Sequence, residues 1–403
     1  MCNFNQTKIS LISHELVYLS VFLVPFQFLR FPPSLYNATQ LDLSTFFLMI
    51  SLVLSSFCNK VKKSFMASLL IFAIIEILVF FYFSYQSILR FSFFLVVYSF
   101  FLGFYFLADN YKLDEKKLFN ITLLGLIISG VVVLFQAFDY GLSIRQKALM
   151  NEPTFSGLLF YSATFASYAV FCYIKLQKKL IILLHSILFF ICGNLTQSMF
   201  LVPFLVIMTF FNLYLLFKIH LTKPVLLKNF LFLLVLIFFL KYFGNLSNIL
   251  ERLNLLNSYN NLSLLTYLSC IDEASGSIVL SPFFGLSAGS SGAFPYFSFY
   301  ESLIFIKSSF NSNSNDAYSL LLRLISELGP LATSILLIFI IFRFFYFFKS
   351  KIGDYSFKRI FLFIYVSTVF LFCLIKGSSL THGYLFVFLF IFIYLSRPLK
   401  INL

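Results

Sequence analysis

Charged residues are scarce in this 403-residue sequence: they occupy only 11% of positions, whereas 60% of positions are hydrophobic. A soluble globular protein has about 25% charged and about 45–50% apolar residues, so this chain has too little polar surface to cover a water-soluble body. The scarcity of charge excludes a soluble enzyme, a disordered chain and a disulfide-stabilised secreted domain. A polytopic membrane protein remains, provided that the apolar residues cluster in runs of about 20.

Several motifs that would indicate other chemistry are also missing. The sequence has no internal repeat, no Gly-rich phosphate loop and no Walker or Rossmann fingerprint. No Cys or His pair has the spacing of metal ligands, so we expect neither a metal nor a cofactor. Of the six cysteines, only Cys270 lies clearly on the predicted external side, which excludes a disulfide within the external loops.

The apolar residues cluster into twelve runs that we interpret as membrane-spanning helices. Helices are expected because backbone polar groups in lipid must be satisfied within the segment, and a β-barrel would show alternating segments of about 10 residues. The predicted fold is all-α, a polytopic membrane helix bundle of about 12 transmembrane helices with one long external loop. The predicted spans are 12–29, 41–58, 64–83, 89–108, 118–138, 154–174, 180–195, 198–217, 229–243, 318–342, 360–376 and 383–396.

The basic residues indicate the orientation of these spans. Of the 29 Lys and Arg residues, 20 lie on alternate connections beginning with the N-terminus, as the positive-inside rule predicts for cytoplasmic segments. We therefore expect both termini to be cytoplasmic and attribute the net charge of +14 mainly to topology, not to nucleic-acid binding. The other nine basic residues are Arg30, Arg90, Arg145, Lys147, Lys241, Arg252, Lys307, Arg323 and Lys376.

One external connection is much longer than the others. Residues 244–316 separate a first bundle of nine spans, 1–243, from a second bundle of three spans, 317–403. Long loops in compact proteins are usually functional or disordered. Two segments of this one, Ile249–Leu256 and Phe294–Phe310, are candidates for elements that lie in the membrane interface.

The middle of the long loop is rich in turn-forming residues. Ser281 to Gly289 reads SPFFGLSAG and is predicted to be a turn-rich loop. Asp272 and Glu273 are interpreted as a solvated turn. The sequence predicts no membrane span in this region.

Charged residues also occur before and after the long loop, on the same predicted side of the membrane. The connection after the fifth span, 139–153, contains Arg145 and Lys147. Beyond the long loop, Arg323 and Glu327 are four residues apart, so on a helix they share one face. Both should lie inside the membrane, where an uncompensated charge is expensive and is by default a sign of function.

Together these features resemble bacterial O-antigen polymerases of the Wzy type. The resemblance covers the twelve spans and the long penultimate external loop. Its motifs are a basic third external loop ending in Asn151-Glu152-Pro153, a Gly-rich turn at Gly285–Gly289, and Asn315-Asp316 followed by Glu327-Leu328-Gly329. The O-antigen ligases of the same group typically carry a His beside the corresponding Asn, whereas this long loop contains no His. That difference favours the polymerase.

The resemblance implies a reaction and a location. A polymerase of this type transfers a growing glycan from undecaprenyl diphosphate to a new lipid-linked repeat unit, at the periplasmic face of the bacterial inner membrane. It needs no metal or nucleotide sugar. The expected partners are the undecaprenyl-diphosphate-linked oligosaccharide, the lipid bilayer, a chain-length regulator and a flippase, with no nucleic acid.

When a lipid diphosphate leaves during the reaction, positive charge is needed to stabilise its negative charge. The planar guanidinium group of Arg suits this role, because it can pair with two phosphate oxygens at once. The candidate diphosphate ligands are Arg145, Lys147, Arg323 and Arg252. A carboxylate could take the proton of the acceptor hydroxyl, and the candidates for this catalytic role are Glu152 and Asp316. The candidate sugar contacts are Asn315 and His382.

Each candidate also has a structural interpretation. Glu152 could stabilise the first turn of the sixth span, and Asp316 could cap the tenth. Arg252 could belong to a solvated helix face, and Arg323 could form a structural pair with Glu327. The sequence leaves these alternatives open.

Two other functions stay open as well. One is an O-antigen ligase, and the other is a polysaccharide flippase or secondary transporter. Glu76, near the middle of the third span, suits a proton-coupled transporter. The single long external loop argues against it, because such transporters often consist of pseudo-symmetric halves.

Overall fold

The computed structural model of the protein describes residues 2–26, 30–31, 41–58, 63–83, 87–141, 148–150, 153–173, 179–196, 198, 201, 204–211, 262–290, 319–349, 356–375 and 383–397. These residues belong to a membrane protein of the all-α class. Six of their helices are long and apolar enough to cross a bilayer, and three shorter helices are also apolar.

The α-helices of the described residues are numbered in chain order. They are α1 (Cys2–Leu23), α2 (Leu43–Cys58), α3 (Lys63–Phe83), α4 (Ile88–Leu107), α5 (Glu115–Tyr140), α6 (Pro153–Tyr173), α7 (Lys179–Leu195), α8 (Leu262–Leu280), α9 (Leu320–Lys349), α10 (Phe357–Ile375) and α11 (Gly383–Leu395). A short 3-10 helix, Ala108–Asn110, follows α4, and residues 204–211 are also helical. Between α1 and α2, strands β1 (Arg30–Phe31) and β2 (Leu41–Asp42) pair antiparallel.

Most helices lie where the apolar runs predict them, with ends that differ by a few residues. The largest differences are in α1, which begins at Cys2 although the predicted span begins at 12, and in α9, which continues to Lys349 beyond the predicted end at 342. The all-α class is confirmed. The number of twelve crossings stays a prediction, because the span at 229–243 and part of the span at 198–217 lie outside the described residues.

Local sequence signals explain two of the helix ends. The carboxylate of Asp114, just before α5, accepts a hydrogen bond from the backbone N–H of Lys116 at 2.8 Å, which satisfies one of the free donors of the first turn. The same helix ends at Gly141, whose φ of +86° most side chains avoid. These two residues fix α5 at 26 residues, which is long enough to cross a bilayer.

Helices α6, α10 and α11 form the most enclosed part of the bundle. The ring of Phe363 on α10 stacks on Phe347 of α9 with ring centroids 3.6 Å apart, and on Phe392 of α11 at 5.3 Å. In contrast, α3 lies at the edge of the bundle, where Leu78 is 64% exposed and Phe81 is 69% exposed. A lipid-facing surface accounts for this exposure, since lipid tails solvate apolar side chains well.

Ion pairs tie several helices together at the end of the bundle that the basic residues predict to be cytoplasmic. Lys117 pairs with Glu15 at 2.6 Å, and Asp109 with Arg397 at 2.8 Å. Burial lowers the pKa of the Arg397 guanidinium, and the negative charge of Asp109 opposes this shift.

Arg359 is the most buried member of this group. Its Nη1 donates to Glu115 at 2.7 Å, and its Nη2 donates to the carbonyls of Leu395 and Arg397 at 2.7 and 2.9 Å. One planar guanidinium therefore joins the start of α5 to the end of α11.

A helix within residues 244–316 is a difference from the sequence-based prediction. Helix α8 occupies Leu262–Leu280, so the interpretation of Asp272 and Glu273 as a solvated turn is wrong. Buried positions Cys270, Ala274 and Ser277 follow helical spacing, and α8 packs against α9. Its buried stripe consists mostly of small or polar residues, which hides the helix from an analysis of hydrophobic runs. The interfacial candidates Ile249–Leu256 and Phe294–Phe310 lie outside the described residues.

Candidate functional site

Arg323 and Glu327 form an ion pair inside the bundle. Both lie on α9, and the Arg323 Nε donates to the Glu327 Oε1 at 3.0 Å. The two side chains are 1% and 0% exposed. The prediction that they share one helix face is thus confirmed. Removing two charges from water costs free energy, and this cost can exceed the gain from their attraction. A buried ion pair is therefore weak evidence that the two residues serve only to stabilise the fold.

Helix α4 closes one side of this pair with two aromatic residues one turn apart. The Tyr98 hydroxyl donates to the second carboxylate oxygen of Glu327, Oε2, at 2.6 Å. The guanidinium carbon of Arg323 lies 4.4 Å from the centre of the Phe94 ring, in a cation–π arrangement. One carboxylate oxygen of Glu327 is therefore paired with Arg323 and the other with Tyr98, while the Phe94 ring covers one face of the guanidinium.

The sequence did not single out Tyr98 as a site residue. It is one of 23 tyrosines, and it lies in an apolar span with no motif around it. A weak signal exists in retrospect: Phe94 and Tyr98 are four residues apart, so they share a helix face. Nothing in the sequence indicates that this face meets α9.

Helix α9 is broken two residues after Glu327. Gly329 has φ +82° and ψ 165°, which are not helical values, and Pro330 then begins the second half of the helix. Pro is favoured at the first position of a helix because its missing N–H would have no partner there. At 1.5 Å per residue the break lies about 14 Å along α9, well inside the span.

A non-helical segment, 281–290, follows α8 and packs against this break. The backbone N–H of Leu286 donates to the carbonyl of Ser326 at 2.9 Å. Positions 285 to 290 of the segment are buried, and Gly285, Ser287 and Gly289 have positive φ values of 69°, 86° and 84°. The prediction of a turn-rich stretch at 281–289 is confirmed. Non-helical backbone inside a bundle is tolerated only where protein covers it, and here α9 and α3 do so.

Glu76 of α3 contacts the same segment from the other side. Its Oε2 accepts a hydrogen bond from the backbone N–H of Ala288 at 2.8 Å, and the residue is only 3% exposed. Glu76 and Glu327 are close enough to interact electrostatically. The buried polar cluster thus comprises Glu76, Tyr98, Arg323, Glu327 and the backbone of 285–290.

The other predicted site residues lie outside the described part of the chain: Arg145, Lys147, Glu152, Arg252, Asn315, Asp316 and His382. Their roles, and that of Arg323, stay predictions. The connection that contains Arg145 and Lys147 is fastened to α5 just after them, since the Gln136 amide accepts the Ala148 N–H at 2.9 Å and donates to the Ala148 carbonyl at 3.1 Å.

Within the part of the chain that the structure describes, no three His, Cys, Asp or Glu side chains are grouped as a metal ion would require. Comparisons with protein-family models and with curated proteins find no match to this chain.

Proposed function

We propose that this protein is a repeat-unit polysaccharide polymerase of the O-antigen type. It transfers a growing glycan from undecaprenyl diphosphate to a lipid-linked repeat unit. The observation that carries the proposal is the buried Arg323–Glu327 pair, which lies beside a buried non-helical segment within an apolar bundle. Ionisable residues inside membrane spans are costly to bury and generally serve function.

The chemistry of the leaving group explains the need for Arg323. Departure of the lipid diphosphate places negative charge at the reacting centre, and a preorganised cation in a water-poor site stabilises that charge strongly. In the proposal, Arg323 acts together with Arg145, Lys147 and Arg252. Glu152 or Asp316 accepts the proton of the sugar hydroxyl, while Asn315 and His382 contact sugar.

Access to Arg323 requires movement, because the side chain is only 1% exposed. The non-helical segment 281–290 is the part that moves in the proposal. It contacts α9 through the Leu286–Ser326 hydrogen bond, and it can shift without breaking the hydrogen bonds of a helix. When the diphosphate arrives, it competes with Glu327 for the guanidinium. Glu327 and Tyr98 act as positioning residues that keep Arg323 oriented between reactions.

The proposal includes a location and an orientation. The protein lies in the bacterial inner membrane with both termini in the cytoplasm, so that the long loop 244–316 faces the periplasm. Lys117, Arg359 and Arg397 lie in or next to connections that the positive-inside rule assigns to the cytoplasm, and their gathering at one end of the bundle supports this orientation. Reporter fusions that become active only in the cytoplasm test it, and activity of a fusion within 244–316 would contradict it.

A matched pair of variants tests the role of Arg323. Arg343 is a second arginine on α9, which packs over the rings of Tyr105 and Phe339 near the other end of the helix. At equal protein level in the producing strain, Arg323→Gln should abolish long glycan chains, whereas Arg343→Gln should leave them unchanged. Normal chain lengths with Arg323→Gln would overturn the site. Undecaprenyl-linked polymer that is made but not attached to lipid A core would instead indicate a ligase.

The buried acid Glu76 favours one second candidate, a proton-coupled flippase or transporter. That function requires an ionisable group at position 76, whereas the polymerase does not. Flux of lipid-linked sugar across vesicles without any change in glycan length would support the transporter.

A further inference from the structure

Glu76 is a buried carboxylate that the proposed reaction does not use. It lies near the middle of α3, a helix that otherwise contributes apolar side chains at the edge of the bundle. Burying a carboxyl group in such surroundings is costly unless hydrogen bonds satisfy it. The structure provides one such bond, from the backbone N–H of Ala288.

The segment that donates this hydrogen bond has no regular secondary structure. Gly285, Ser287 and Gly289 alternate in the positive-φ region, so the stretch cannot form a helix or a strand. Two backbone hydrogen bonds hold it locally: Leu286 to Ser326 of α9, and Ser290 to Ser287 within the segment. The hydrogen bond from Ala288 to Glu76 joins it to α3.

The segment contacts both α9 and α3, the two helices that carry the acids of the buried cluster. On one side the segment meets Ser326 and Gly329, which flank Glu327 along α9. On the other side it meets Glu76. The backbone of the segment therefore connects α3 to the helix that carries the Arg323–Glu327 pair, and the hydrogen bond to Glu76 helps to fix its position.

We propose that Glu76 is a positioning residue of the polymerase site: its carboxylate oxygen accepts the Ala288 N–H and thereby fixes segment 285–290 beside Glu327. This inference deepens the proposed function and rests on it for the link to glycan synthesis. The role depends on the length of the Glu76 side chain and on its acceptor oxygen, and it does not depend on the ability of Glu76 to carry a proton.

Two conservative substitutions separate these properties. Glu76→Gln keeps the length of the side chain and an acceptor oxygen but removes the acid. Glu76→Asp keeps the acid but shortens the side chain by one methylene. Glu76→Leu removes both properties. Leu78→Ala is the matched control, because Leu78 lies on the same helix and is 64% exposed.

A single cysteine reports the position of the segment. Ser287 is 2% exposed, and Ser→Cys changes little in size, so a thiol at this position should react slowly. The six natural cysteines are first replaced by Ser or Ala. The rate of N-ethylmaleimide labelling is then measured on the full-length, detergent-purified protein, with Ser275→Cys on the exposed part of α8 as the accessible reference.

With Glu76→Gln and Leu78→Ala, we expect labelling of the cysteine at 287 within about twofold of the parent rate. With Glu76→Asp and Glu76→Leu, we expect it to be at least about tenfold faster, since the acceptor for the Ala288 N–H is lost. If Glu76→Leu fails to fold, Glu76→Asp and Glu76→Gln still decide the question. Equal rates in all variants, or Glu76→Gln as fast as Glu76→Asp, would overturn the positioning role.

Glycan length in cells provides the second readout. The proposal predicts longer chains with Glu76→Gln than with Glu76→Asp, whereas a proton-coupled transporter predicts the reverse order of activity. Labelling that changes as expected while all variants make glycan of normal length would overturn the link to synthesis and the polymerase site, and would leave the anchoring geometry intact. The two failures are thus distinguishable.

Discussion

Gly285 and Gly329 cross back to back where the segment after α8 meets the break in α9. A Cβ on Gly329 would lie 2.3 Å from the carbonyl oxygen of Phe283, and a Cβ on Gly285 would lie 2.5 Å from the backbone nitrogen of Gly329. Both residues also have positive φ. Glycine is therefore required at each position for two separate reasons: the approach of the two backbones and the backbone conformation.

Gly329→Ala tests this crossing, and Gly141→Ala is its matched control. Gly141 has φ +86° as well, but a Cβ there would meet nothing within 4 Å. Gly141 and Gly329 have ψ values of 161° and 165°, which together with positive φ are essentially restricted to glycine, so alanine at either position costs about 1–3 kcal/mol. At Gly329, forced overpacking adds about 1–3 kcal/mol. In purified protein, Gly329→Ala should lower the apparent Tm more than Gly141→Ala. Equal shifts would mean that the crossing contributes nothing to stability.

Tyr98→Phe tests the hydrogen bond that closes the ion pair. Loss of the hydroxyl leaves Oε2 of a fully buried Glu327 without this donor, and a bond to a charged group contributes about 1.5–3 kcal/mol. Tyr161→Phe is the control, because the equally buried Tyr161 donates to the neutral Asn194 at 3.1 Å, where about 0.5–1.5 kcal/mol is expected. Thermal unfolding of both variants should show the larger loss for Tyr98→Phe, and the opposite order would contradict the strong bond.

Most of the helices and the Arg323–Glu327 pair could be predicted from the sequence, because both depend on local information. Apolar runs set the spans, and a spacing of four residues sets the shared face. Tyr98, Glu76 and the Gly285–Gly329 crossing could not be predicted as partners, since each contact joins residues far apart in the chain. Helix α8 was missed because Cys270, Ala274 and Ser277 in its buried stripe are small or polar.

Arg359→Lys tests the connection between α5 and α11. A lysine keeps the charge but cannot reach Glu115 and the two carbonyls of Leu395 and Arg397 at once. Breaking a buried pair of this kind costs about 3–5 kcal/mol when one partner is removed, so a substantial fraction of that loss is expected in the free energy of unfolding.

The control for Arg359 is Lys117→Ala. Lys117 pairs with Glu15, but the two side chains are 40% and 54% exposed, and exposed pairs contribute about 0–1 kcal/mol. Denaturant or thermal unfolding of the two variants should therefore differ clearly. A loss for Lys117→Ala as large as that for Arg359→Lys would contradict the importance of burial at this end.

Replacing the whole ion pair by apolar residues separates its role in stability from its role in function. Removing Arg323 or Glu327 alone leaves a buried charge and costs about 3–5 kcal/mol, whereas an apolar replacement of both partners is often neutral or stabilising. The triple variant Tyr98→Phe, Arg323→Met, Glu327→Leu also removes the hydroxyl that would lose its acceptor. It should unfold near the parent Tm.

The most direct test is glycan extension by this triple variant. Purified protein is reconstituted in lipid with an undecaprenyl-diphosphate-linked repeat unit, and the lengths of the products are compared with those of the parent. The account predicts a folded triple variant that makes no glycan longer than the supplied unit. Products of parental length from the triple variant would contradict a role for Arg323 in binding the lipid diphosphate.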